Sequence, residues 1–263
     1  METLTIERPE TELKIEKIEE GHTKVRALIL LTKNKFFEPN KYPWELELLG
    51  KSMRDWVAMA CDGMPYDFVE YDGEQNVLDL VRDNLKDSEY TIVLFSDTPL
   101  IRKKTVEEIL DYCYIKGMSV CKLTRGYVFK NDFVKNATEL YTAEPQYFDE
   151  EDFMTAYNFK QLMIIEEVLK NRVLSFHMKN GVRILDGGAV SIDADVTIEG
   201  GTIIYPNNRI YGKTFVGMGT KLLPNNIIKN SYIGRNSIVE YSVIKNAELP
   251  DFSTVGPFEK IIK

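Results

Sequence analysis

The C-terminal third of the chain carries a period of six. Aliphatic residues stand at Ile192, Ile198, Ile204, Ile210, Val216, Leu222 and Ile228, each six residues after the last. The spacing slips by one to Ile233, then goes on through Val239, Ile244, Leu249, Val255 and Ile261. A helix repeats every 3.6 residues and a flat strand every 2.0, so neither alone satisfies six. A β-solenoid does. Each coil then has three short flat faces of about six residues, and each face points one aliphatic into the prism. Gly200, Gly201, Asn207, Asn208, Gly212, Gly219, Asn225 and Asn226 fall between the aliphatics, where turns are needed. Glycine and asparagine suit such turns because several of these positions require positive φ.

The first half alternates strand and helix signals. Val25–Leu31 is a short buried strand, Tyr66–Tyr71 a second and Thr91–Phe95 a third. Ser52 with Asp55 opens a helical pattern through Met53, Trp56, Val57 and Ala60, and Val77, Leu78, Val81 and Leu85 give another helical face. Thr105 and Glu108 form a capping-box signature ahead of Ile109, Leu110, Cys113 and Tyr114, and Gly117 is placed to end that helix. Met118–Leu123 and Tyr127–Phe129 are further strands. The alternation predicts a largely parallel sheet covered on both faces, with ligands binding beyond the carboxyl ends of its strands.

Composition narrows the function. Lys and Arg number 33 against 41 Asp and Glu, a net charge of −8, which disfavours nucleic acid as a partner. The apolar runs are only a few residues long, so no membrane span is expected, and the acidic first twenty residues do not read as a secretory signal; a cytoplasmic protein is expected. Cys61, Cys113 and Cys121 lack metal-ligand spacing and read as buried thiols. His22 and His177 are the only histidines, which argues against a His-rich metal site.

The six-residue repeat resembles the left-handed β-helix of the hexapeptide-repeat family over about residues 184–263. That resemblance implies the left hand, about four coils and a homotrimer. Acyltransferases of this architecture usually place a histidine between neighbouring coils. Residues 178–263 contain none, so a structural oligomerisation prism is expected, with no acetyl-CoA site.

A second resemblance begins at Ser96-Asp97-Thr98-Pro99-Leu100-Ile101, directly after a strand. An aspartate there can hold Mg²⁺, or can simply cap a helix or order a loop. The run resembles the Gly-Asp-x-Pro-Leu-Ile segment of sugar-1-phosphate nucleotidyltransferases. Residues 171–186, Ile192–Glu199 and Ser253–Phe258 are similar, in the same order, to the bifunctional N-acetylglucosamine-1-phosphate uridylyltransferase / glucosamine-1-phosphate acetyltransferase family. The resemblance implies a nucleotidyltransferase-like α/β domain (GT-A or Rossmann-like) followed by the left-handed parallel β-helix. It also implies Mg²⁺ held by Asp97 and Asn158. The expected division is an extension over 1–24, a reduced α/β domain over 25–149, a linking helix over 150–183 and the prism over 184–263.

The family's phosphate loop is absent. The first strand leads into a glycine-free segment carrying Lys33, Lys35 and Lys41, and Trp44 follows Pro43 where the family has lysine. Those lysines are candidate phosphate-binding residues, or an ordinary solvated loop. The base-reading Gly-Thr-Gly-His-Ala segment and most of the sugar-binding insertion are missing as well. Tyr141, Tyr147, Phe148 and Phe153, in the acidic stretch 140–153, either cover the resulting gap, contact a partner or pack on their own domain. The expected function is a reduced sugar-1-phosphate nucleotidyltransferase, similar to UDP-N-acetylglucosamine pyrophosphorylase. It binds a nucleotide or nucleotide-sugar, whether or not it turns over; catalytic residues are not assigned. The alternative is a non-catalytic trimeric structural or interaction protein built on the β-helix.

Overall fold

The computed structural model describes residues 25–33, 41–140 and 146–263. The extension over 1–24, with Lys35 and Tyr141, lies outside the described residues.

The α/β domain is built around strand β1 (Val25–Thr32). A small antiparallel hairpin follows, β2 (Glu47–Leu48) and β3 (Lys51–Ser52). Then come α1 (Met53–Ala60), β4 (Tyr66–Tyr71), α2 (Val77–Asp83), β5 (Tyr90–Phe95) and α3 (Lys103–Lys116). The domain ends with β6 (Val120–Leu123), β7 (Gly126–Lys130) and α4 (Asn131–Asn136). The main sheet has the order β4-β1-β5-β7-β6. Both neighbours of β1 are parallel to it. One face packs Ala27, Ile29, Ile92 and Leu94 against α1 and α3, and the other packs Leu28, Leu30, Val93 and Phe95 against α2 and α4. This is a three-layer, Rossmann-like arrangement.

The sheet is less parallel than the sequence pattern suggested. β7 runs antiparallel to both β5 and β6. The cause is local. Only Thr124 and Arg125 separate β6 from β7, and so short a connection can join only antiparallel neighbours. Gly126 begins β7 at φ 138°, and a Cβ there would lie 2.5 Å from the Val93 carbonyl oxygen. Only glycine lets the two backbones come that close.

Helix starts also differ from expectation. α1 begins as read, with Ser52 Oγ accepting from the Asp55 N–H at 3.3 Å. The predicted box at Thr105 is not one: α3 begins two residues earlier, and Arg102 at its N-cap makes no side-chain cap. The buried Asp152 does that work from a distant segment. It accepts from the Arg102 N–H at 3.3 Å and from the Thr105 hydroxyl, and it pairs with the Arg102 and Arg172 guanidiniums. Gly117 ends α3 in the left-handed region, as expected. The three cysteines are buried and free. Hydrogen bonding to Cys121, together with burial, pushes the Cys113 thiol pKa up, and burial raises Cys61 to about 12.

The linking helix, expected from about residue 150, is α5 (Phe159–Lys179), preceded by a short 3₁₀ turn at Glu150–Phe153. Ile165 and Leu169 are buried against Leu46, Leu48, Met53 and Leu100 of the α/β domain, while Tyr157 and Phe176 are exposed. Leu174 closes the top of the prism core. Of the aromatic stretch, Phe148 and Phe153 pack on their own domain, Tyr147 is exposed, and Gln146 bridges Leu123 along the β6 edge.

From Arg183 onward, short parallel strands stack into three sheets. Ile192, Ile210, Ile228, Ile244 and Ile261 lie one above another on one side, in the register that pairs Ile210 with Ile228 and Ile228 with Ile244. Ile198, Val216, Ile233 and Leu249 form the second side; Ile204, Leu222, Val239 and Val255 form the third. This is the β-solenoid read from the repeat, a left-handed β-helix as the family resemblance implies. Each slip in the period is a corner one residue shorter. A left-handed residue turns the corners: Gly201, Asn207, Gly212, Gly219, Asn225, Asn230, Asn236 and Asn246, but also Tyr241, Phe252 and Phe258.

Asn208 and Asn226 are not turn residues. Both point inward and are completely buried. Asn226 Nδ2 donates to Asn208 Oδ1 at 2.9 Å and to the carbonyls of Leu223 and Val239, and Asn226 Oδ1 accepts from the Ser242 N–H at 2.9 Å. A ladder of amides thus satisfies the corner carbonyls of successive coils.

The hairpin turn fixes the two domains to each other. Leu49 and Gly50 both have positive φ, at 49° and 78°, as a tight two-residue hairpin turn requires. The Leu49 carbonyl accepts from the Ala194 N–H at 3.0 Å, and Lys51 pairs with Asp195 at 2.6 Å. A Cβ at Gly50 would lie 2.7 Å from Asp193 Oδ2.

Candidate ligand site

In a sheet whose second and third strands flank the first, the connections leave β1 in opposite directions. The crevice beyond the carboxyl ends of β1 and β5 is where such folds admit a ligand. Register decides which side chains meet there. Leu30 pairs with Phe95 and Thr32 with Tyr71, so Thr32 shares the face of Leu30, Phe95 and Tyr71. The ladder continues past β5, with the Ser96 N–H donating to the Leu30 carbonyl at 2.9 Å and the Thr32 N–H to Ser96 Oγ at 3.3 Å. This holds the Asp97 segment against the end of β1.

Asp97 is 3% exposed. Arg125, in the β6–β7 turn, grips it with both arms: Nε lies 2.7 Å from Oδ1 and the terminal nitrogen 2.5 Å from Oδ2. The antiparallel return of β7 brings that turn to the carboxyl end of β5. The guanidinium also lies over the Phe95 ring, 4.4 Å from its centroid. Phe95 meets Tyr71 edge-on at 5.7 Å, and Tyr127 stacks on Phe129. Burial raises the Tyr127 hydroxyl pKa, with a smaller contribution from Tyr71 nearby. The edge of the sheet thus presents a cation and a shelf of aromatic rings. Thr32 Oγ1, on the same sheet face as Phe95 and Tyr71, is the one buried side-chain oxygen or nitrogen among the described residues that has no hydrogen-bond partner. Leaving such a group unpaired costs about 1–3 kcal/mol, so it marks a place where a partner belongs.

The sequence candidates fall unevenly on this geometry. Asp97 is in the crevice. Lys33 is next to Thr32 in the chain, but its ammonium pairs with Glu70 at 2.6 Å, and that hydrogen bond raises its pKa. Lys41 is exposed. Asn158 is exposed at the start of α5, where its Oδ1 accepts from the Gln161 N–H at 3.0 Å. No hydrogen bond or ion pair joins it to Asp97 among the described residues. Arg125, Thr32, Tyr71, Phe95 and Tyr127 were not singled out from the sequence as site residues.

Mg²⁺ requires oxygen ligands open to it and near-octahedral geometry. Both Asp97 oxygens hold a guanidinium, and the Asn158 oxygen caps its own helix. Among the described residues, no three His, Cys, Asp or Glu side chains are grouped as a metal site. As folded, this donor set does not fit a divalent cation.

The described surface also carries depressions away from this segment. One of about 530 Å³ is bounded by Lys170 of α5 and by Asn207, Arg209 and Asn225 of the prism. Another, of about 270 Å³, lies at the junction between Trp56, Met59, Arg172, Phe176, His177 and Ala194. No helix among the described residues is long and apolar enough to cross a membrane.

No family model matches the chain. Curated relatives do. It is 43% identical over 101 residues to the bifunctional protein GlmU of Clostridium acetobutylicum, covering 38% of this chain and 22% of the relative. It is 45% identical over 101 residues to GlmU of Clostridium beijerinckii, with the same coverage. With GlmU of Rippkaea orientalis the identity is 37% over 102 residues, 39% of this chain and 22% of the relative. The chain therefore covers about a fifth of the length of these relatives. Among solved structures, a CMP:2-keto-3-deoxy-manno-octonic acid synthetase complexed with CTP matches 57% of this chain and 99% of its own. It does so at 13% identity and a TM-score of 0.42, too loose a likeness to bear on function. The motif resemblance and the curated relatives agree: over about 101 residues the chain is similar to GlmU proteins, and it spans about a fifth of their length.

Proposed function

We propose that the chain binds a nucleotide or nucleotide-sugar at the carboxyl edge of its α/β sheet, as a divergent sugar-1-phosphate nucleotidyltransferase-like protein of the cytoplasm without acetyltransferase activity. The observation that carries this reading is the unpartnered Thr32 hydroxyl, buried at the switch point of the sheet, opposite Tyr71 and next to the Ser96–Asp97 segment that Arg125 grips. Arg125 supplies charge for a phosphate, and Tyr71 and Tyr127 supply faces for a base. Similarity to GlmU proteins supports the same class of ligand. Binding is the retained property; no transfer step is drawn, because the family's Mg²⁺ does not fit the donor set as folded.

The test is Thr32→Val, which keeps the shape and removes the hydroxyl. Unliganded protein should gain about 1 kcal/mol of stability as the orphan disappears. Affinity for the best binder in a panel of nucleoside triphosphates and nucleotide-sugars should fall about tenfold, the worth of one hydrogen bond to a charged group. Calorimetry measures both. A variant that is more stable and binds equally well would refute the reading. Pyrophosphate release with sugar 1-phosphates, against an Asp97→Ala control, reads whether turnover accompanies binding.

A second reading, a trimeric scaffold built on the prism, draws on the apolar side chains the prism presents outward. Phe215 and Tyr232 stack on its side at 4.9 Å, and Met218 is 54% exposed. Light scattering on the full chain decides this one: a threefold mass supports it, and a monomer at high concentration overturns it.

A further inference from the structure

The pairing of Asp97 with Arg125 goes further than the failure of a metal site. A buried carboxylate at the end of a central strand needs a positive partner. In this chain the partner is covalently attached. We infer that Arg125 is a tethered cation standing where a divalent metal would otherwise sit on Asp97, so that the crevice takes a phosphate-bearing ligand without a divalent cation.

Three features of the structure point this way. The guanidinium meets both carboxylate oxygens in the fork geometry that arginine alone provides. Its position is built in: the two-residue turn fixes its backbone, Gly126 seats that turn against Val93, and Phe95 lies under the guanidinium plane. The pair is also unequal in access. The Asp97 side chain is 5% exposed and that of Arg125 is 26% exposed. Arg125 can therefore neutralise the carboxylate with one edge and offer its remaining N–H groups to a ligand with the other. A guanidinium has five N–H donors, and Asp97 engages two of its nitrogens. A small polyanion such as pyrophosphate suits what is left. This inference rests on the nucleotide reading for its ligand and on the Asp97–Arg125 geometry for its cation. The two can fail separately.

The experiment uses the full chain and two probes. The first is inorganic pyrophosphate, titrated calorimetrically in EDTA and again in Mg²⁺. The wild type should bind equally in both, and Arg125→Gln should bind about tenfold more weakly in EDTA. The second is Mn²⁺, followed by the paramagnetic resonance of the free ion. The wild type should bind none at this site. Arg125→Gln, which frees the carboxylate, should take up one Mn²⁺, and the double variant Asp97→Asn/Arg125→Gln should lose it again. The double variant leaves no unpaired charge, so it also guards against a single variant that fails to fold. Circular dichroism confirms that each variant is folded. Mn²⁺ binding to the wild type that disappears in Asp97→Asn would overturn the inference, as would pyrophosphate binding that requires Mg²⁺. Pyrophosphate binding in no condition would overturn the nucleotide reading, while the Mn²⁺ titration would still decide the cation.

Discussion

The prism and the α/β domain reach a folded core in opposite ways. In the prism the core contacts repeat, an aliphatic beneath an aliphatic, with a left-handed residue at the corners. In the α/β domain the decisive contacts each occur once and join distant segments, as Asp152 does with Arg102, Thr105 and Arg172, or Arg125 with Asp97. A repeat spreads its stability over many similar terms. A unique contact concentrates it, and can therefore also hold a site.

The largest test of this contrast is Asn226→Leu. It removes three amide donations and leaves the Asn208 oxygen and the Ser242 N–H without partners in a dry interior. A loss of about 3–4 kcal/mol is expected in denaturant unfolding. If the ladder were merely decorative, leucine would be neutral, and the prism would be held by its aliphatics alone. Gly126→Ala comes next. Its Cβ collides with the Val93 carbonyl at a φ closed to alanine, so about 2–3 kcal/mol should be lost, and only from the α/β domain. Differential calorimetry should show the prism transition in place and the other moved; a joint shift would mean that the two regions unfold as one.

A smaller effect lies at the junction. His177 is 2% exposed, and burial lowers its pKa from 6.5. Its imidazolium is therefore favoured in the unfolded chain. The stability it contributes is present above the unfolded value and is lost as pH falls through that value towards the lower folded one. Melting temperature should drop between neutral pH and about pH 5.5, and the drop should be smaller in His177→Gln. The smallest effect is a gain. Phe252 turns a prism corner at φ 62° while 74% exposed, so Phe252→Gly should stabilise by about 0.5–1 kcal/mol. A loss instead would show that the ring packs on something the corner geometry does not need.

The same contrast explains what could be read from the sequence. The prism was legible because a period of six states its own geometry, slips included. The inward turn of Asn208 and Asn226 escaped, since asparagine in a repeat reads as a corner residue, and so did the corners at Tyr241, Phe252 and Phe258. Strands β1, β4 and β5 were legible as apolar runs. The reversal of β7 was hidden in a two-residue gap, and the cap of α3 in an aspartate 50 positions from Arg102. Asp97 stood out by its place after a strand, but its partner lies 28 residues further on in an unremarked turn. One signal was available: a glycine directly after an arginine between two short strands marks a tight turn with a charged tip. Nothing in a linear pattern announces an unpartnered hydroxyl such as that of Thr32, because satisfaction is a property of the assembled neighbourhood.

The Leu49–Gly50 turn has a mechanical consequence. A body tethered at one point can swing, and one tethered at two can only hinge about the line between them. The hairpin presses on Asp193 to Asp195, α5 enters the prism top through Leu174, and the flank of α5 lies along Leu46 and Leu100. The prism is thus held at the hairpin and at Leu174, and α5, which carries Leu174, is itself packed on the α/β domain. The crevice then stays at a set distance from the prism axis, and a pair of labels across the junction would behave as a ruler rather than a sensor, reading one length whether the site is filled or empty.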